Sequence, residues 1–129
     1  MIVDASVVAE YLSQGTGVDL AAAVLASDGL VAPHLIDAEV GHVLRAHARQ
    51  GRLDPGAAAA GIAELPLLGI ERLGHTPLVL RAWELRDNLS FYDALYVTLA
   101  EELDMPLVTF DGRIAGAPAH RAEVVVLSA

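Results

Sequence analysis

Met1-Ile2-Val3-Asp4-Ala5-Ser6 holds the decisive pattern: a short apolar run, an acid at its end, and helix-forming residues directly after it. An apolar run this short and unalternating fits a strand buried on both faces. The acid then falls at the carboxyl end of the strand, where open parallel sheets bind their ligands. The same grammar returns in Leu107-Val108-Thr109-Phe110-Asp111. Further strand candidates, Leu30-Val31-Ala32, Leu68 to Arg72 and Val124-Val125-Val126, are separated by helical stretches. Such alternation predicts an α/β fold of three layers, a central and mainly parallel sheet flanked by helices.

Punctuation places the helices at residues 5–13, about 19–27, roughly 34–50, about 53–65, about 77–87 and 92–104. Asp54 followed by Pro55 is an N-cap and first-turn pair. The third and fourth helices form an αα-hairpin between strands, a candidate surface for a partner. No repeat, linker or charge block divides the chain, so residues 1–129 are expected to form one domain.

Apolar residues make up 54% of the chain, yet it has only one Trp, three Tyr and two Phe. The core must therefore be aliphatic. No apolar run reaches the roughly 20 residues of a membrane span. The N-terminus lacks the basic and apolar regions of a signal peptide. Without cysteine there is no disulfide framework and no thiolate chemistry. A cytoplasmic protein is expected. The net charge of −9 argues against broad electrostatic binding to nucleic acid, although bound cations can bring phosphate to an acidic site. All eight positive residues are arginine. Arg49, Arg52, Arg86 and Arg113 are candidate RNA contacts, with Arg49 and Arg52 better explained as solvating the hairpin.

Four acids are candidates for one site: Asp4, Glu39, Asp93 and Asp111. Each has a structural alternative. Asp4 can cap the first helix. Ser90 and Asp93 have capping-box spacing, and Asp111 before Gly112 suits a turn. Glu39 is harder to explain that way. It lies on the stripe Ile36, Val40, Val43, Leu44, and a carboxylate on a buried face needs a partner; His42 or an arginine are the alternatives to a metal. In the sixth helix the stripe Tyr92, Leu95, Tyr96, Leu99, Leu103 leaves Asp93 on its flank. Two carboxylates about 4 Å apart repel by roughly 4 kcal/mol at an effective dielectric near 20, more than the ~1 kcal/mol of a cap. Convergence of all four would thus require protonation or a divalent cation. Oxygen-only ligands suit Mg2+ or Mn2+, and the five histidines show no HExxH-like spacing. The absence of lysine excludes a P-loop and a response-regulator receiver. Asp4-Ala5-Ser6 is not the DxD of haloacid-dehalogenase phosphatases, and no GxGxxG follows a strand.

Ile2-Val3-Asp4-Ala5-Ser6, Pro33 to Leu44 around Glu39, Tyr92-Asp93-Ala94-Leu95-Tyr96-Val97 and Leu107-Val108-Thr109-Phe110-Asp111 occur in the order and spacing of PIN domains. The resemblance covers essentially the whole chain, whose size is similar to that of the VapC toxins of toxin–antitoxin pairs. It implies an acidic pocket of Asp4, Glu39, Asp93 and Asp111, with Ser6 and Thr109 in support. It also implies Mg2+- or Mn2+-dependent endoribonuclease activity, RNA as substrate, a homodimer, and silencing by a cognate antitoxin. Asp4 and Asp93 would ligate metal directly. Two departures matter: relatives often carry Asn where this chain has His42, and Asp111 is the acid the family varies most. The competing expectations are a PIN-like binding module without catalysis and a metal-dependent phosphatase.

Overall fold

The structure, a computed structural model, describes residues 1–128. Five strands, β1 (Ile2–Val3), β2 (Leu30–Pro33), β3 (Ile70–Leu73), β4 (Leu107–Thr109) and β5 (Val124–Val126), form one sheet. Every pairing is parallel and the order is β3-β2-β1-β4-β5. The chain moves outward from β1 to β3, then returns past β1 to β4 and β5. Because such crossovers are right-handed, this reversal divides the helices between the two faces. Helices α1 (Ala5–Leu12), α2 (Val18–Leu25), α3 (Leu35–Arg49) and α4 (Pro55–Glu64) pack together on one side, α1 touching the other three. On the other, α5 (Val79–Glu84) packs on α6 (Phe91–Leu103), which lies against β1, β2 and β4. The reversal point falls between β1 and β4, so the crevice of the sheet opens at their carboxyl ends.

The core is aliphatic, as the composition predicts; Tyr96 is the one aromatic among the buried hydrophobic residues described. Helix α6 is buried from Ala94 to Glu101 without a break. Gly51, at φ +72°, ends α3 in a left-handed conformation that costs glycine nothing. Asp54 caps α4 by accepting from the amides of Gly56 and Ala57.

Several expected boundaries move. The third strand starts at Ile70, not Leu68, because Leu65-Pro66-Leu67 takes a 3-10 turn. The helix expected at 77–87 is a 3-10 turn, Thr76–Leu78, followed by a shorter α5. The fold also contains α7 (Gly112–Gly116), unforeseen because five residues show no helical period. Tyr92 and Leu103 were placed on the core stripe of α6, yet both are exposed.

Candidate active site

A cleft of about 590 Å3 is lined by residues that include Asp4, Ser6, Glu39, His42, Tyr92, Asp93 and Asp111. All four candidate acids therefore border one space, and each arrives on a different element. Asp4 follows β1 and caps α1. Glu39 projects from α3, Asp93 from the first turn of α6, and Asp111 follows β4 and caps α7.

Asp4 is only 6% exposed, and its side-chain hydrogen bonds all fall on one oxygen. Oδ2 accepts from the Ser6 hydroxyl at 2.6 Å, the Thr109 hydroxyl at 2.8 Å and the Ser6 amide at 3.4 Å. Each hydroxyl has one proton. With both spent on Asp4, the 3.3 Å approach of Ser6 Oγ to Thr109 Oγ1 carries no further bond. The hydroxyl oxygens instead accept from the chain beyond β4: the Phe110 amide donates to Ser6 and the Asp111 amide to Thr109. Ser6 and Thr109 thus bind the ends of β1 and β4 to one carboxylate. Asp4 Oδ1 takes no part in this network.

Glu39 is half-buried, and its Oε1 is fully buried with no hydrogen-bond partner. Neither His42 nor an arginine supplies one. Burial lifts the Glu39 carboxyl to about 7; the nearby Tyr96 hydroxyl opposes the rise, and the charges of Asp4 and Asp93 add to it. That hydroxyl is itself buried without a partner of good geometry. The apolar stripe of α6 places Tyr96 only in the core, although its position one turn beyond Asp93 also points it toward the acids. Burial and then the charge on Asp4 raise the Asp93 carboxyl, with Ser90 opposing. Ser90 caps α6 by accepting from the Asp93 amide at 3.1 Å, so capping and cleft placement coexist.

Asp111 is set apart. Arg113 donates to both its oxygens, at 2.6 Å in the shortest contact, and this holds the carboxyl below its ordinary value. Arg86 stacks on Trp83 at 4.7 Å, and Arg49 and Arg52 are not among the cleft-lining residues.

Among the described residues, no three Asp, Glu or His side chains are grouped closely enough to hold a metal ion by themselves. The acids share a cleft without closing into a cage. Uncompensated carboxylates repel, and Arg113 draws Asp111 aside. The donor set still fits a hard divalent cation that keeps part of its water shell. It is all oxygen, it contains the orphaned Glu39 Oε1, and it leaves Asp4 Oδ1 open.

The described residues include no helix long and apolar enough to cross a membrane. Comparison with known proteins agrees with the geometry. The PIN domain model matches residues 1–119. Ribonuclease VapC1 of Mycobacterium tuberculosis (strain ATCC 25618 / H37Rv) is 42% identical, the match covering 95% of this chain and 94% of the relative. Ribonuclease VapC9 of the same strain is 35% identical, covering 98% of each. Among solved structures, PAE2754 from Pyrobaculum aerophilum aligns with a TM-score of 0.70 and 30% identity, covering 95% of this chain and 81% of that one. The M. tuberculosis toxin VapC20, described as cleaving the sarcin-ricin loop, has the same fold: TM-score 0.69 at 21% identity, covering 89% and 92%. With an all-parallel sheet, an acid at the end of β1 and a carboxylate cleft at its reversal point, this chain belongs to the PIN domain family, in its VapC branch.

Proposed function

We infer that the protein is an endoribonuclease, the toxin of a toxin–antitoxin pair, which hydrolyses RNA phosphodiesters with Mg2+ or Mn2+. The observation that carries this reading is the unpartnered Glu39 carboxylate, raised to about 7 in a cleft it shares with Asp4 and Asp93. Such a cluster stands in electrostatic debt unless a cation enters it. The ribonuclease names of the VapC relatives support the choice of substrate.

In this reading Asp4 and Asp93 would hold the ion directly, and Glu39 and Asp111 would contribute through its water shell. When bound, a divalent cation polarises the phosphoryl oxygen and lowers the pKa of the attacking water. The remaining work belongs to the chain. Ser6 and Thr109 fix one oxygen of Asp4 and leave the other without a hydrogen bond. The caps of α1 and α6 hold Asp4 and Asp93 at rigid element ends. Hydrolysis makes one P–O bond from water and breaks one P–O bond to ribose, the proton of the water ending on the departing ribose oxygen. A phosphatase would share the ion and the attack but not the ribonuclease relatives.

The partners belong to the same proposal. A net charge of −9 favours a basic antitoxin segment over an acidic one. Leu80 and Trp83, exposed on α5, offer apolar surface to a second copy. The test is cleavage of total cellular RNA by antitoxin-free protein with Mg2+, with Mn2+ and with chelator. We expect cleavage only with metal. Inactivity of pure, metal-loaded protein on all RNA would favour a binding module instead.

A further inference from the structure

A chain with so few aromatic residues buries only Tyr96 fully and leaves Tyr92 62% exposed. Helical periodicity assigns Tyr92 to the core; the structure turns it to the rim of the acidic cleft, directly before Asp93. The cleft lining combines two chemical characters: the carboxylates, and the apolar side chains of Leu35, Ala38 and Val43, which share α3 with Glu39 and His42, with the exposed Tyr92 also in the lining. A nucleotide divides in the same way, into an anionic phosphate and a flat apolar base with a π-face. The volume of about 590 Å3 falls within the roughly 300–1,000 Å3 of clefts that enclose small ligands.

Electrostatics favours the same assignment. RNA-binding surfaces ordinarily gain affinity from cations placed on phosphates. Here the net charge is −9, Arg113 is committed to Asp111 and Arg86 to Trp83. Apolar contact has to supply what charge does not. Stacking of a base on an aromatic side chain contributes about 5- to 150-fold in affinity and tolerates any base.

We propose that Tyr92 stacks on the nucleobase next to the scissile phosphate, with the Leu35–Ala38–Val43 wall of α3 forming the rest of the base's seat. Tyr92 is then a positioning residue that contacts substrate through its ring, not its hydroxyl. The proposal rests on the ribonuclease reading above, and its test separates the two.

The experiment compares wild type, Tyr92→Phe and Tyr92→Ala on a short RNA spanning a cut site. A matched RNA carries an abasic ribose beside the cut. Wild type and Tyr92→Phe should cleave the base-bearing RNA about tenfold better in kcat/KM, the difference residing in KM. Tyr92→Ala should cleave both RNAs alike, at the abasic level. Retained preference in Tyr92→Ala overturns the proposal. So does an equal fall in kcat on both RNAs, which marks a structural role. If wild type cleaves neither RNA, the ribonuclease reading fails, and binding of the same RNA with 2-aminopurine at that position decides the stacking. Quenching by wild type and Tyr92→Phe but not by Tyr92→Ala supports it; equal fluorescence with all three refutes it. If Tyr92→Ala leaves RNA binding intact but splits a homodimer, the ring is a protein contact and the proposal falls.

Discussion

Asp93 and Glu101 stand on one helix, two turns apart, and the fold treats them in opposite ways. Glu101 is the better buried, its side chain 1% exposed. Burial alone would raise its carboxyl, but Arg81 and the Arg121 amide outweigh that and bring it below its ordinary value. Arg81 donates to both carboxylate oxygens at 3.0 Å and also to the Ala119 carbonyl, so the pair fastens α5, α6 and the chain before β5. Asp93 receives a cap at its amide but no ion pair at its carboxylate, and Asp4 and Asp111 add charge of the same sign. A chain able to satisfy one acid so completely and leaving another in repulsion spends stability at the second place. The difference separates an acid that builds the fold from acids kept available for a ligand.

The sharpest way to break this comparison is to remove the charge at each place while preserving shape. Asp93→Asn should lower RNA cleavage about 10²–10³-fold, the scale of losing one preorganised electrostatic group, while raising the melting temperature in chelator. Arg81→Ala should lower the melting temperature and leave cleavage by the folded protein unchanged. Stripping a buried carboxylate of its cation costs about 3 kcal/mol, the lower end for such pairs because Arg81 is partly exposed. Residual folded protein should cleave RNA normally, which urea unfolding and single-turnover cleavage together measure. Comparable losses of stability in both variants would mean that the two acids are alike after all.

Titration distinguishes them next. The lowered Glu101 value means its stabilisation is complete above the unfolded carboxylate pKa of about 4.3 and is lost as pH falls through the folded value. Glu39 has the opposite sign. With a folded value of about 7, it takes up a proton between that pH and about 4.3 that the unfolded chain does not. Metal-free protein should therefore gain stability from pH 8 to pH 5 and lose it below about pH 4. Glu39→Gln should flatten the first limb and Arg81→Ala the second. Urea midpoints that stay level from pH 8 to 5 would remove the case for a strained cluster.

Most of the fold was legible because strands buried on both faces leave short unbroken apolar runs, and because Gly51 and Asp54 punctuate the hairpin. What escaped was governed by local geometry without a period: Pro66 turning the chain before β3, and α7 built on five residues. At the cleft, Asp4 and Asp111 were visible as acids ending apolar runs, and Glu39 as an acid on an apolar stripe. Tyr92 was misplaced because helical spacing reports a face, not whether another layer covers that turn of the helix. Arg81 and Glu101 left no signal, since a contact twenty residues apart depends on how α5 docks on α6.

Asp111 tests the comparison at its margin, with the smallest effect. It lines the cleft like Asp93 but carries its own cation like Glu101. Arg113 is 87% exposed, so solvent screens their ion pair and it adds little to stability. Asparagine at this position keeps an oxygen to accept from the Arg113 amide and so preserves the cap of α7. Asp111→Asn should accordingly leave stability almost unchanged. The loss of cleavage should fall well short of that in Asp93→Asn, because Arg113 opposes the charge of Asp111 at the cleft. Arg113→Ala should expose the latent charge, and Asp93, which feels both Asp111 and Arg113, should titrate higher still. Carboxyl-resolved NMR of the two variants checks this. If Asp111→Asn is as inactive as Asp93→Asn, Arg113 releases its partner when substrate and metal bind, and the division between satisfied and available acids must be redrawn to place Asp111 with Asp93.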